Sequence, residues 1–328
     1  MAPQISVLIA TRNRPVSLER AIRSVLASEY SSFEIVVVDN APDSIDTELL
    51  IATVFGGDDR VRFVHEPIAG LARAHNTGLR VVASPYVAIT DDDVVVDPGW
   101  LTHIMNAFAT TDQVVCVTGA IRAAELDTPA QRWAEQHLGF HKGEQRTTFD
   151  LDEHRPTNPL FPYVAGSLGS GANMSFRTSF LREIGGFDPA LGAGSKARGG
   201  DDLAAFFEAI VRGYSLVYEP AALVHHFHHR TFEQLERQVC GYGIGLGAFL
   251  TKIIVDRPTR VFPLALRLGS GVRHLYLMRD RQPGPEGSDY DSRFRVLKRR
   301  ERIATLRGPL AYARSRWATS RALPGGSA

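Results

Sequence analysis

Three consecutive carboxylates, Asp91, Asp92 and Asp93, follow the apolar run Tyr86-Val87-Ala88-Ile89 and precede Val94-Val95-Val96. Carboxylates this close repel one another and invite a cation. If the apolar run is a buried strand of an open α/β sheet, the triplet lies where such sheets open their ligand crevice. An Asp-x-Asp there can hold a divalent metal against a diphosphate, the chemistry of nucleotide-linked sugars. On an extended segment Asp91 and Asp93 project together and Asp92 points away, so the metal is expected at Asp93, with Asp91 beside it or on a ribose. The same residues also suit an acidic turn before a helix, since Asp97-Pro98-Gly99-Trp100 reads as a helix start with Pro98 near its first position.

Two further clusters carry chemistry. Gly199-Gly200-Asp201-Asp202 opens a strong helix pattern from Leu203 to Arg212, and both acids could simply cap that helix. In His225-His226-Phe227-His228-His229, His226 and His228 share a face if the segment is extended. A surface histidine patch is the plain alternative; a zinc hydrolase is disfavoured, because no His-Glu-x-x-His or cysteine pair accompanies the cluster. Gly169-Ser170-Gly171-Ala172-Asn173 either lets backbone approach a sugar or makes a tight turn. The absence of Gly-x-Gly-x-x-Gly after the first strand, and of a Walker-type Gly-Lys-Ser/Thr, weakens oxidoreductase and ATPase readings.

The elements that must position these groups alternate strand and helix, which predicts an α/β fold with a mostly parallel sheet flanked by helices. Strands are expected at Ile5–Ile9, Glu34–Val38, Arg62–Val64, Tyr86–Ile89, Val114–Gly119 and Asn173–Phe176. Helices are expected after Ser17 as N-cap, over 71–82, and after Trp100. Thr11, Asp39 and Asp91 fall at strand ends and should meet along one sheet edge. The stretch 125–162 shows little periodicity and is expected to cover the site or touch the acceptor. A boundary is expected near 230, dividing the chain into 1–230 and a helical extension with a basic tail, 231–328.

Composition sets the bounds. In 328 residues, 44% are hydrophobic and 22% charged, with a net charge of +1, which fits a globular enzyme and gives no general reason to expect a nucleic-acid partner. The two cysteines form no framework, which fits a reducing compartment. The start of the sequence lacks the basic segment and cleavage site of a signal peptide, and no window of about 20 uninterrupted apolar residues suggests a spanning helix. A cytoplasmic protein is expected.

The ordered segments Val7-Leu8-Ile9-Ala10-Thr11-Arg12-Asn13-Arg14-Pro15, Val36-Val37-Val38-Asp39-Asn40, Gly70-Leu71-Ala72-Arg73-Ala74-His75-Asn76-Thr77-Gly78 and Asp91-Asp92-Asp93 resemble the motifs of family-2 glycosyltransferases. The resemblance continues through Gly185-Gly186-Phe187-Asp188, Asp201-Asp202 and the histidines, and covers about residues 4–230. It implies a GT-A-like nucleotide-sugar domain, dependence on Mg²⁺ or Mn²⁺, and transfer with inversion from a nucleotide-diphosphate donor, UDP-linked by preference. By this resemblance Thr11, Arg12, Asp39, Arg73, Asp91 and Asp92 meet the nucleotide, with Asp39 reading the base. Asp93, Asp91 and His226 hold the metal. Asp202 becomes the general base, although the family commonly has Glu-Asp where this chain has Asp201-Asp202. The acceptor is a glycan, a lipid-linked or a small molecule. The rivals are a catalytically inactive carbohydrate-binding protein of the same fold and a sugar-phosphate nucleotidyltransferase, the latter disfavoured because Ala10-Thr11-Arg12-Asn13 has no glycine.

The last part is less legible. Gly241, Gly243, Gly245 and Gly247 alternate within a helical pattern, which suggests close packing or a bend. Leu264, Leu268, Val272 and Leu275, flanked by Arg267, Arg273 and His274, suggest a basic amphipathic helix and peripheral contact with the cytoplasmic face of a membrane; a helix packed on the catalytic domain is the alternative.

Overall fold

The computed structural model describes residues 2–138, 140, 142–260 and 289–322. Strand β1 (Ile5–Thr11) leads through α1 (Pro15–Leu26) to β2 (Phe33–Asn40), then through α2 (Asp46–Leu50) to β3 (Val61–Glu66), and through α3 (Leu71–Val81) to β4 (Tyr86–Asp91). These four strands run parallel in the order β3-β2-β1-β4. Side chains alternate between two cores. Leu8, Val36 and Ile89 pack under α3 and the later helices, while Val7, Ile35 and Val37 pack under α1. Both faces being covered explains why β1 and β2 read as unbroken Ile/Val runs.

Beyond β4 the sheet becomes mixed. The elements are β5 (Val94–Val96), α4 (Trp100–Phe108), β6 (Val114–Ala123), α5 (Pro129–His137), β7 (Thr147–Phe149), β8 (Asn173–Arg177), α6 (Thr178–Glu183), α7 (Asp201–Val211) and β9 (Ser215–His226). Strand β8 inserts antiparallel between β4 and β6, β9 runs parallel to β6, and β5 and β7 run antiparallel to β9. The parallel pattern legible in the first third therefore stops at β4.

Several local expectations change. Helix α1 starts at Pro15, whose fixed φ suits a first turn and whose missing N–H costs nothing there, so Ser17 lies inside the helix rather than capping it. The stretch read as aperiodic contains α5, closed by a capping box in which Thr128 and Gln131 satisfy each other's backbone N–H groups. Helix α7 begins at Asp201 itself.

Helix α8 (Phe232–Asp256) is continuous through its four glycines, and the helices Asp289–Thr305 and Gly308–Ala322 pack on it. Residues two apart differ by about 200° around a helix, so the glycines form two pairs on opposite sides. Gly245, with Gly241 one turn back, lies against 198–200, and a Cβ on Gly245 would stand 2.8 Å from the Gly199 carbonyl carbon. Gly243 and Gly247 meet the backbone of Glu301 and Thr305. The expected close packing is thus what the alternation encodes. Phe249, Ile253 and Tyr312 join the core beneath α7. By length and composition α8 could cross a membrane, which the sequence expectation did not allow for, yet here Leu235, Val239, Ala248 and Phe249 are buried within the protein. The amphipathic pattern over 264–275 lies outside the described residues.

Candidate active site

Register brings the strand-end polar groups together. Thr11 pairs with Asp39, Ala10 with Asp91, and Asp39 in turn with His65. The chain turns tightly between β4 and β5, and the three carboxylates take different partners. Asp92 is buried: the Thr11 hydroxyl donates to its Oδ2 at 2.7 Å, and Arg14 Nη1 donates to its Oδ1 at 3.1 Å and to Asp93 Oδ2 at 3.1 Å. Thr11 and Asp92, both expected at a nucleotide, are therefore engaged with each other.

The pairing of Val94 with His226 carries the end of β9 to the acidic turn. His226 Nε2 stands 3.2 Å from Asp93 Oδ1, and its Nδ1 is 3.1 Å from His228 Nδ1. Ligand atoms of Asp91, Asp93 and His226 all lie within 4.8 Å of one another. Their charges are unequal. Burial, then repulsion from Asp93, pushes Asp91 up to about 7, and its carboxylate has no hydrogen bond or ion pair among the described residues. Burial also opposes ionisation of Asp93, but the hydrogen bond and charge of His226, with Arg14, hold it below the ordinary carboxylate range. Burial disfavours the His226 cation as well, yet Asp93 and Asp91 raise it. Two hard carboxylates and an imidazole, one acid without a hydrogen bond or ion pair among the described residues, fit Mg²⁺ or Mn²⁺.

A second pair of acids enters from α7. Gly200, at φ 89°, makes the left-handed step into the helix. Asp202 Oδ1 accepts the Leu203 N–H at 2.8 Å and Oδ2 accepts the Gly171 N–H at 3.0 Å. Burial raises Asp202 despite those donors. Asp201 is buried and pushed up to about 7, first by burial and then by Asp202, with Asp91 adding repulsion. The ring nitrogens of buried His75 have no hydrogen-bond partner among the described residues; Nδ1 is 3.9 Å from Asp201 Oδ2, and burial takes the imidazole down to about 4.

The remaining expected residues stand apart. Asp39 is 1% exposed, raised by burial despite His65 and a bond from Thr47, and its Oδ1 has no partner among the described residues. Arg12 is exposed and 3.4 Å from Asp43. Arg73 is half-buried on α3, while Asn76 is spent clamping the Phe187 backbone. No hydrogen bond or ion pair among the described residues ties Arg12, Asp39 or Arg73 to the acid group.

Three neighbours were not singled out from sequence. Arg14 sits just before Pro15, inside a motif in which attention fell on Arg12. Lys142 donates to the Gly166 carbonyl at 2.7 Å, is pulled down to about 8 by burial, and feels the charge of Asp202. Tyr242, between two of the α8 glycines and 41% exposed, accepts from Gln238 Nε2 at 2.9 Å; its phenol is raised by desolvation and by the negative charge of Asp91, Asp202 and Asp93. A lone aromatic in a glycine run was the available signal.

Comparison with known proteins gives a consistent picture. The model of glycosyl transferase family 2 matches residues 6–183. The chain is 26% identical over 267 residues to the pre-mycofactocin glycosyltransferase of Mycobacterium tuberculosis, covering 81% of this chain and 51% of the relative. It thus spans about half that relative's length. It is 26% identical over 251 residues to the glucosyl-dolichyl phosphate glucuronosyltransferase of Haloferax volcanii, covering 70% of this chain and 71% of the relative. Among solved structures, a mannosyltransferase from Pyrobaculum calidifontis in complex with GDP-Man and Mn²⁺ superposes with a TM-score of 0.63 at 17% identity, covering 94% of this chain and 87% of that one. Staphylococcus aureus TarS 1–349 with UDP gives 0.52 at 14%, covering 79% and 74%. At these identities the structures share the fold.

Proposed function

The chain belongs to glycosyl transferase family 2, and from that premise we propose that it moves a sugar from a UDP-linked donor to an acceptor hydroxyl with inversion. The observation that carries this reading is the convergence of Asp91, Asp93 and His226 into one ligand set, with the charge of Asp91 felt by Asp201, the neighbour of Asp202 at the start of α7. Mg²⁺ or Mn²⁺ held by those three residues would neutralise the diphosphate leaving group.

The chain's own residues supply the rest. Asp202 takes the proton of the acceptor hydroxyl; its raised affinity for a proton suits a base, and each of its oxygens keeps a lone pair beyond the backbone bond already made. Tyr242 receives a hydrogen bond from Gln238 and so keeps its own proton to donate to the sugar. Arg73 and Arg12 serve the nucleotide and diphosphate. Asp39 has one bond from Thr47 and one open oxygen, which fits a base that offers a single N–H between carbonyls, as uracil does; guanine would offer two donors to the same carboxylate. Residues 1–230 form the donor domain, and the helices beyond 230 bring Tyr242 to it.

Thermal-shift titration with UDP, GDP, dTDP and CMP, each with Mn²⁺ and with EDTA, tests the reading on wild type and Asp93→Ala. A ligand at a hundred times its Kd stabilises by about 2.7 kcal/mol. The expected result is a Mn²⁺-dependent shift with UDP that Asp93→Ala loses. A shift with GDP instead would keep sugar transfer and overturn the Asp39 argument. No shift with any nucleotide would overturn the transferase reading.

A further inference from the structure

We propose that the last two helices form a docking surface for an anionic lipid membrane, separate from the acid site. Residues 289–322 hold ten Lys and Arg against three Asp and Glu, in a chain whose net charge is only +1. Their inner faces bury Leu297, Ala304, Tyr312 and Ser315. On the outer face of the first helix and the turn after it, Arg295, Arg299, Arg302 and Leu306 follow one another at helical spacing, all exposed. The second helix repeats the pattern with Leu310, Arg314, Trp317 and Arg321.

Internal pairing does not account for this charge. Arg300 pairs with Glu236, Lys298 with Glu301 and Arg316 with Asp256, but Arg295, Arg299, Arg302, Arg307 and Arg314 have no acidic partner among the described residues. The apolar residues in the same stripes are unusually open: Leu306 is 80% exposed, Trp317 60% and Leu310 56%, with the Arg321 guanidinium 3.9 Å from the Trp317 ring centroid. A polar polyanion would reward the arginines and leave Leu306 and Leu310 in water. An anionic bilayer surface satisfies both, because the guanidinium groups meet headgroups while leucine and tryptophan enter the interface. The glycine faces of α8 place these helices on the side away from Gly199-Gly200, so docking and donor binding are separable.

The full chain is mixed with vesicles of phosphatidylcholine alone and of phosphatidylcholine with phosphatidylglycerol, and flotation and tryptophan emission are followed at low and high salt. Trp100 and Trp133 are buried, so a blue shift on binding reports Trp317. Expected is binding to the anionic vesicles roughly tenfold or more above the neutral ones, weakened by salt, with a blue shift. Arg295→Glu/Arg299→Glu/Arg302→Glu should lose roughly tenfold or more of that binding while its melting temperature stays at the wild-type value, and Trp317→Phe should still bind without the shift. Equal binding to both vesicles, or an unaffected triple variant, would overturn the proposal. So would binding without any blue shift, the mark of a charge-only surface for polyanions, or a concentration-dependent dimer that the triple variant abolishes without any vesicle binding.

Discussion

Asp39 and Asp91 stand at the ends of parallel strands, whereas Asp202 and Tyr242 stand on helices seated against glycine backbone. On the strand side, position follows from pairing: Thr11 lies beside Asp39 and Ala10 beside Asp91, and a slip of one residue would move each buried Val and Ile from one core to the other. Register there is protected by the two cores. On the helix side, position rests on a few contacts between distant segments: Gly245 on Gly199-Gly200, and the Gly171 N–H on Asp202. The strand side supplies Asp91 and Asp93; the helix side sets where Asp201 and Asp202 stand. Substitutions far from the acids should therefore disturb the helix side first.

The sharpest break of that comparison is Asp202→Asn. If Asp202 takes the acceptor proton, turnover should fall by roughly 10²–10⁴-fold, with the UDP-dependent thermal shift retained. Single-turnover rates beside donor titration check it. A variant that keeps most of its turnover would leave Asp202 as the cap its bond to Leu203 also permits.

Gly245→Ala and Gly243→Ala separate the two faces of α8. In either place the new methyl meets backbone, a clash worth about 1–3 kcal/mol, partly offset by the ~1 kcal/mol by which Ala favours a helix. Gly245→Ala presses on the residues that open α7 and should lower both melting temperature and kcat. Gly243→Ala presses on Glu301 and Ala304 and should lower melting temperature with kcat/KM unchanged. Equal losses of turnover would mean that α8 transmits strain as one rigid body.

The same contrast explains what could be read in the sequence. Val36–Val38 before Asp39 and Tyr86–Ile89 before Asp91 carry their fate locally, since an apolar run ending in an acid is a strand end in any such sheet. The insertion of β8 between β4 and β6, and the pairing of Val94 with His226, are choices among distant partners that no local period records. Helix α5 was missed because its apolar face, Ala130, Trp133 and Ala134, is short and its clearest signal is the Thr128–Gln131 box. Tyr242 was missed for a longer-range reason: a lone aromatic in a glycine run carries no local sign of the distant acids whose charge raises its phenol.

The smallest expected effect concerns Asp201, where the strand and helix sides press on each other through Asp91. Its pKa rises from the ordinary 3.8 to about 7, so between those values the folded protein keeps a proton that the unfolded chain has released. Stability from that proton is full below the lower value and is lost as pH rises through the upper one. His75, 3.9 Å away and taken down to about 4, works in the opposite sense, since its unfolded form gains a proton as pH falls from 6.5. The two slopes mask each other in the wild type, and Asp201→Asn removes one of them. In EDTA, the melting temperature of the variant relative to wild type should be a few degrees more favourable at pH 8 than at pH 5. A difference that does not change with pH would mean that Asp201 stays ionised throughout, and that its burial is matched by donors stronger than the backbone groups at the start of α7.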